Sequence, residues 1–248
     1  MTLEQFFAEN REVAVAFSGG VDSAYLLYAA KRYAARVKAY YVSTAFQPEF
    51  ELADARRLAD ELGADMQVLH VDVLMSGAVV ANPPDRCYHC KNTLFRQILR
   101  AAESDGFSLL LDGTNASDDA GDRPGMRALR ELSVRSPLRE GGLTKAEIRR
   151  LSREAGLFTW DKPAYACLAT RIRAGEEITL QKLKQTEKAE GFLFGLGFRD
   201  FRVRMVGNTA KLELRETDLP LLLENREKIV AELRKDYDSV LLNLEVRK

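Results

Sequence analysis

Val13-Ala14-Val15-Ala16-Phe17 runs directly into Ser18-Gly19-Gly20-Val21-Asp22-Ser23, and the Ala-, Leu- and Tyr-rich stretch from 24 to 35 follows with the composition of a helix. An apolar strand, a double-glycine turn and a helix make a phosphate-binding arrangement. Glycines let backbone N–H groups approach phosphate oxygens without a Cβ in the way. The positive end of the following helix then faces the anion. Ser18 and Ser23 can donate hydroxyl hydrogen bonds, and Asp22 can hold Mg2+. The lysine that closes a Walker A loop is absent, so the turn is not of the γ-phosphate-transfer design.

Outward from this turn, short apolar runs alternate with helical spacing. Val37 to Ser43, Met66 to Val73 and Ser108 to Asp112 read as strands; Phe50 to Leu62 and Lys91 to Ser104 read as helices. This alternation predicts an α/β fold, a doubly wound parallel sheet covered on both faces. Ligands of such sheets sit at the carboxyl ends of the strands. Ser43, Gly113 and Thr114 therefore join Ser18, Gly19, Gly20, Asp22 and Ser23 as expected nucleotide contacts. Thr144 followed by Glu147 predicts a capped helix start. After about Arg173 the pattern changes. A helix over 178–191, a hairpin around Gly207-Asn208, a helix over 219–235 and a last strand over 240–246 predict a smaller α+β unit. The expected domains are 1–172 and 173–248.

The chain has 248 residues, 46% hydrophobic and 30% charged, with Lys plus Arg and Asp plus Glu at 37 each. This balance argues against general nucleic-acid binding, which needs a surplus of cations. No apolar run approaches the roughly 20 residues that span a bilayer, and the first 11 residues do not read as a secretory signal. The expected location is the cytoplasm, without a membrane partner. Three cysteines in such a chain do not suggest a disulfide framework.

Cys87-Tyr88-His89-Cys90 follows Asn82-Pro83-Pro84-Asp85-Arg86, and Cys167 stands in Ala166-Cys167-Leu168-Ala169-Thr170-Arg171. Three thiolates suit three irons of a 4Fe–4S cluster, leaving the fourth open. Zinc held with His89 or His70, a redox pair with Cys167 as the reactive thiol, and plain packing thiols remain as alternatives.

The Ser18–Ser23 loop after a strand resembles that of the N-type ATP pyrophosphatases, which cleave ATP to AMP and pyrophosphate. The cysteine segments narrow the resemblance to the LarE sulfurtransferases. The matching runs also include Asp112-Gly113-Thr114-Asn115, Asp118-Asp119, Asp122-Arg123-Pro124-Gly125, Ser136-Pro137-Leu138 and Arg202-Val203-Arg204. The resemblance implies adenylylation of the carboxylates of a pyridinium-3,5-biscarboxylate mononucleotide, then attack by sulfur to give thiocarboxylates for a nickel-pincer nucleotide cofactor. Some members of that family carry only the cysteine matching Cys167 and sacrifice its sulfur; others carry three cysteines and a cluster. The set Cys87, Cys90 and Cys167 implies the cluster type, with ATP, Mg2+ and a 4Fe–4S cluster as cofactors. A homo-oligomer, a hexamer, is implied as well.

A carboxylate is a poor acyl donor, and conversion to an adenylate supplies AMP as a leaving group. Mg2+ would offset charge on the departing pyrophosphate, with Asp22 as one contact and Asp118 or Asp119 as further candidates beside the alternative of solvated loop acids. Arg171, Arg202 and Arg204 are candidates for the substrate phosphate, since guanidinium groups bind phosphate in bidentate fashion. Arg202 and Arg204 share one face of an alternating strand, with a solvated hairpin face as the alternative. Glu190 is read as a contact to pyridinium or ribose, against the alternative of a surface helix carboxylate. The rival functions are a tRNA thiolase, a nitrogen-inserting ligase of the NAD or GMP synthetase kind, and a nucleotide-sensing module. The first would show tight, salt-sensitive tRNA binding; the second would have no use for Cys167; the third would release no pyrophosphate.

Overall fold

The computed structural model describes residues 1–118, 124–245 and 247. The chain divides into two compact units, Met1–Val73 with Asp85–Tyr165, and Leu74–Pro84 with Ala166–Lys248. The expected boundary at 172/173 thus stands beside a division in which an early segment, Leu74–Pro84, belongs with the C-terminal part.

In the first unit, strands β1 (Glu12–Ala16), β2 (Arg36–Ser43), β3 (Asp65–His70) and β4 (Leu110–Leu111) form one parallel sheet in the order β3-β2-β1-β4. Val13 and Val15 face one apolar layer, with Leu26 and Leu27 of the helix Val21–Tyr33, Leu58 of the helix Glu49–Glu61, and Ile148 of the helix Lys145–Glu154. Ala14 faces a second layer with Tyr40, Ile98 and Ala102, the last two on the helix Arg86–Ser104. Burial on both faces explains why β1 reads as an unbroken apolar run rather than an alternating one. The expected α/β fold is the fold observed.

The strand order reverses between β1 and β4. Chains leaving the carboxyl ends of these neighbours diverge to opposite sides, and the gap between them is the standard ligand crevice of an open α/β sheet. The glycine turn follows β1, and Asp112–Asn115 follows β4.

The second unit has a three-stranded sheet in the order β5-β6-β7. β5 (Arg202–Val206) and β6 (Thr209–Glu213) are the antiparallel hairpin expected from Gly207-Asn208, and β7 (Ser239–Leu242) lies parallel to β6. Gly207 has φ 57°, the left-handed conformation such a turn requires of it. The helix Leu180–Gly195 contributes buried Leu183, Ala189 and Leu193. The long helix expected over 219–235 is instead two, Leu219–Glu224 and Arg226–Leu233, broken at Asn225. Asn82 fastens the early segment into this unit: its side-chain amide donates to the carbonyls of Arg173 (2.8 Å) and Glu176 (3.1 Å). No helix among the described residues is long and apolar enough to cross a membrane.

Candidate active site

Helix Val21–Tyr33 starts at Gly20, which offers no side-chain cap. The first helical hydrogen bond runs from Ala24 N–H to the Gly20 carbonyl, at 2.9 Å. The amides of Val21, Asp22 and Ser23 therefore have no acceptor inside the helix, as at any helix start. Three elements shape the turn before them. The Ser23 hydroxyl lies 3.1 Å from the Gly20 carbonyl, 3.0 Å from the Ser18 hydroxyl and 3.2 Å from the Ser18 amide, which donates to it. The two serines thus brace the turn from within. Gly19, at φ 73°, backs onto helix Glu49–Glu61, where a Cβ would sit 3.2 Å from the Ala55 Cβ.

Gly113 completes the wall from the β4 side. A Cβ there would lie 2.8 Å from the Ser23 backbone nitrogen, closer than any unstrained contact. Only a glycine lets β4's exit loop approach the helix start this closely. Gly113→Ala is expected to destabilise the fold by about 1–3 kcal/mol as the backbone shifts to relieve the clash, read as a lowered midpoint of thermal unfolding. Beside it the buried Asp112 carboxylate accepts hydroxyl hydrogen bonds from Thr114 and Ser136. That fixes the loop but also commits Thr114's proton. Ser43 stands half-buried at the end of β2, its carbonyl accepting from Val71 N–H at 3.0 Å.

Asp22 is the charged residue of the turn. One carboxylate oxygen lies 2.6 Å from the Lys145 ammonium. The other, Oδ1, is buried and has no hydrogen-bond partner among the described residues. Burial, opposed by Lys145 and assisted by the nearby Asp118, holds the Asp22 carboxyl above the usual carboxylate range. An orphaned carboxylate oxygen beside unclaimed helix amides fits a hard cation carried in with an anion. Asp118 accepts from the Asn115 amide at 2.9 Å and so shapes its own loop. Asp119 and the stretch from 120 to 123 lie outside the described residues.

Nothing in the sequence around Lys145 or Lys162 marks either as part of the site. Lys145 opens the Thr144-capped helix, whose expected capping box is present, and its partner Asp22 lies 123 positions away. Lys162 pairs with Asp54 at 2.7 Å and reaches the Gly19 carbonyl at 3.5 Å. Arg149 donates to the carbonyls of Trp160 (2.6 Å) and Lys162 (2.8 Å).

Cys87 and Cys90 lie in the first unit, as the second and fifth residues of helix Arg86–Ser104. The sequence pattern alone starts this helix at Lys91, where the apolar spacing becomes regular, and so puts both cysteines in the loop before it. Asp85 is the N-cap, preceded by two prolines. A guanidinium nitrogen of Arg86 is 3.7 Å from the Cys87 sulfur. Tyr88, between the cysteines, donates to Glu131 at 2.7 Å and lies under the Arg127 guanidinium, which anchors this turn to helix Pro124–Glu131.

Cys167 lies in the second unit and caps the short turn Leu168–Arg171. Its carbonyl accepts from the Thr170 amide (2.9 Å) and hydroxyl (2.8 Å). Arg171 is buried and forms a two-pronged ion pair with Glu190, at 2.7 and 3.0 Å, while its remaining nitrogen donates to the Ala166 carbonyl at 3.0 Å. Glu190 also accepts from Val203 N–H at 2.9 Å. Glu190 is therefore a buried member of a network, not a carboxylate on a solvent face. Arg204 pairs with Glu213 and donates to the Thr170 carbonyl. Arg202 is buried, and Asp200 is 3.7 Å away. Burial, with the positive charges of Arg171 and Arg247, pulls the Arg202 guanidinium below its usual value.

The structure thus gathers Ser18, Gly19, Gly20, Asp22, Ser23, Gly113, Thr114 and Asp118 in the first unit, and Cys167, Arg171, Glu190, Arg202 and Arg204 in the second. Arg247, which shares Asp200 at 3.2 Å, was not anticipated. The three thiols are divided between the units, none is in a disulfide, and among the described residues no three His, Cys, Asp or Glu side chains are grouped as a metal site.

Comparison with known proteins bears on this geometry. Residues 4–115 match the asparagine synthase family profile. The chain is 32% identical over 235 residues to the pyridinium-3,5-bisthiocarboxylic acid mononucleotide synthase of Lactiplantibacillus plantarum, covering 94% of this chain and 85% of that protein. An uncharacterised protein of Synechocystis sp. is 38% identical over 86% of this chain and 80% of its own length. The tRNA-specific 2-thiouridylase of Thermotoga petrophila is more distant, 26% identical over 61% of this chain and 54% of its own length.

Proposed function

The chain belongs to the family of pyridinium-3,5-bisthiocarboxylic acid mononucleotide synthase, the LarE family, and from that premise we propose that it is an ATP-dependent sulfurtransferase acting on a pyridinium-3,5-biscarboxylate mononucleotide. Each substrate carboxylate takes AMP from ATP and releases pyrophosphate. A sulfur nucleophile then displaces AMP and leaves a thiocarboxylate. The observation that carries this reading is the glycine turn. It presents helix-start amides with no intrahelical acceptor beside a buried carboxylate oxygen that has no hydrogen-bond partner among the described residues.

In this reading the Val21, Asp22 and Ser23 amides hold the β,γ-phosphates, which leaves the α-phosphorus open to the attacking carboxylate. Asp22, with Asp118 near it, would hold Mg2+, which offsets the charge of departing pyrophosphate. Arg202 is the favoured ligand for the substrate phosphate. Arg202 is buried near the like charges of Arg171 and Arg247, so an arriving dianion would lower the cost of its burial. Arg171 and Glu190 act on Cys167 indirectly, by holding the carbonyls around it.

Cys167 is the proposed sulfur-bearing or sulfur-delivering residue. Cys87, Cys90 and Cys167 are the thiolates whose donor chemistry suits a 4Fe–4S cluster, which would hold at its open iron a sulfide ion taken up from solution as the renewable sulfur. A tRNA thiolase reading would demand a polyanion surface from a chain with no excess of cations. We further propose cytoplasmic location and a homo-oligomeric state.

Asp22→Asn tests the metal assignment. Pyrophosphate release at saturating ATP is expected to fall by about a hundredfold or more. Stability should move the other way. Because Asp22's folded pKa lies above its unfolded value of 3.8, the folded state binds more protons between those two values. Stability therefore falls as pH rises through that window and stays lower above it. Asparagine removes this cost, so the thermal midpoint at pH 7 should not drop. A variant that keeps full pyrophosphate release would sink the assignment.

A further inference from the structure

Gly19 and Gly20 share a peptide bond with no Cβ on either side, and Gly19 already has φ 73°. Such a peptide rotates between two orientations at little cost. In the orientation present, the Gly20 N–H lies 3.4 Å from the Ser18 hydroxyl, on the opposite side of the peptide from the Gly19 carbonyl; turned over, the carbonyl would stand there instead and repel an anion. A phosphate loop built on this bond needs something to choose between them.

Behind the turn stands a candidate. The Lys162 ammonium is 3.5 Å from the Gly19 carbonyl oxygen, long for a hydrogen bond but close for a charge facing a dipole. Its side chain is only 15% exposed, so water weakens the attraction little. The ammonium is itself held: Asp54 is at 2.7 Å, and the Phe50 ring centroid is at 5.8 Å. The backbone beneath it is fixed by Arg149, which donates to the Lys162 carbonyl. Asp54 stands beside Ala55, the residue against which Gly19 packs. Helix Glu49–Glu61 thus supplies both the wall behind the turn and the tether for the lysine that grips it.

We propose that Lys162 is a positioning residue of the phosphate loop: tethered by Asp54, its ammonium holds the Gly19 carbonyl and keeps the Gly20 amide directed at the nucleotide's pyrophosphate. This rests on the reading of the loop as the ATP phosphate site. Lys162 touches no reacting atom in this role; it sets the turn through its peptide plane.

The test uses the full chain and inorganic pyrophosphate with Mg2+ as the calorimetric probe. Lys162→Met keeps the stem and removes the charge, and should weaken pyrophosphate binding about tenfold. Lys162→Arg should restore affinity to within about threefold, since the charge returns. Asp54→Asn is the deciding variant. A positioning lysine that loses its tether binds pyrophosphate more weakly, whereas a lysine that contacts phosphate directly is released and binds it more tightly. In glycine-labelled protein the Gly20 amide resonance should be single in the wild type and exchange-broadened or doubled in Lys162→Met. Unchanged affinity in Lys162→Met, tighter binding in Asp54→Asn, or one sharp Gly20 resonance in both proteins would each overturn the proposal while leaving the loop's assignment intact. A wild-type protein that binds neither pyrophosphate nor ATP would overturn both.

Discussion

Replacing Cys167 with alanine is expected to lower thiocarboxylate formation by roughly a thousandfold or more, while ATP binding persists. The glycine turn, Gly113 and Asp22 are built by the first unit; Cys167 belongs to the second, on a turn fixed through Thr170, Arg171 and Glu190. Deleting one sulfur leaves the phosphate loop's bracing untouched. The measurement is paired: bound ATP by calorimetry, and sulfur incorporation by mass spectrometry of product. Loss of both activities together would mean that the substitution damages the fold. Retained sulfur transfer would mean that Cys167 has no part in the chemistry. The companion variant Cys87→Ser separates two sulfur sources. If Cys167 is sacrificed, the Cys87 variant still completes one turnover, and its Cys167 is found one sulfur lighter. If all three thiolates hold a cluster, it makes no product and Cys167 keeps its mass.

The second large effect concerns stability. Glu190→Gln should cost about 3–5 kcal/mol, because breaking a buried ion pair strands the remaining charge. Arg171 and Glu190 side chains are 1% and 2% exposed, so neither can turn to water. Glu190 also satisfies the Val203 amide at the start of β5. For a chain of this size the loss corresponds to about 10 °C in the unfolding midpoint. Differential scanning calorimetry reads it directly. A shift of less than about 2 °C would mean that the network is slack and that Arg171 does not depend on Glu190.

The parallel sheet and its phosphate turn were legible because their signals are local. Apolar β-branched runs, a Gly-Gly turn and a helical stretch all lie within about twenty residues. The Thr144–Glu147 box and the Gly207-Asn208 hairpin are local in the same way, and both are present. What the sequence concealed are charge pairings across long separations. Nothing near Lys145 or Lys162 marks them as neighbours of the glycine turn, since Asp22 and Asp54 lie 123 and 108 positions away. Glu190 was open to a surface reading because a carboxylate at helical spacing looks solvated until its partner is known. Arg86–Cys90 carries too few apolar residues to extend the helical pattern back to the true helix start. The break at Asn225 had no glycine or proline to announce it.

The early segment Leu74–Pro84 has a consequence for dissecting the chain. The polypeptide enters the second unit, leaves it at Asp85, and returns at Ala166. No single scission can therefore release either half whole. A fragment beginning at Ala166 would lack Asn82 and leave the carbonyls of Arg173 and Glu176 without the amide that now serves them. A fragment ending at Tyr165 would carry the eleven-residue segment Leu74–Pro84, with its short helix Gly77–Val80, without the unit it belongs to. The gene is better divided by excising and rejoining than by truncation.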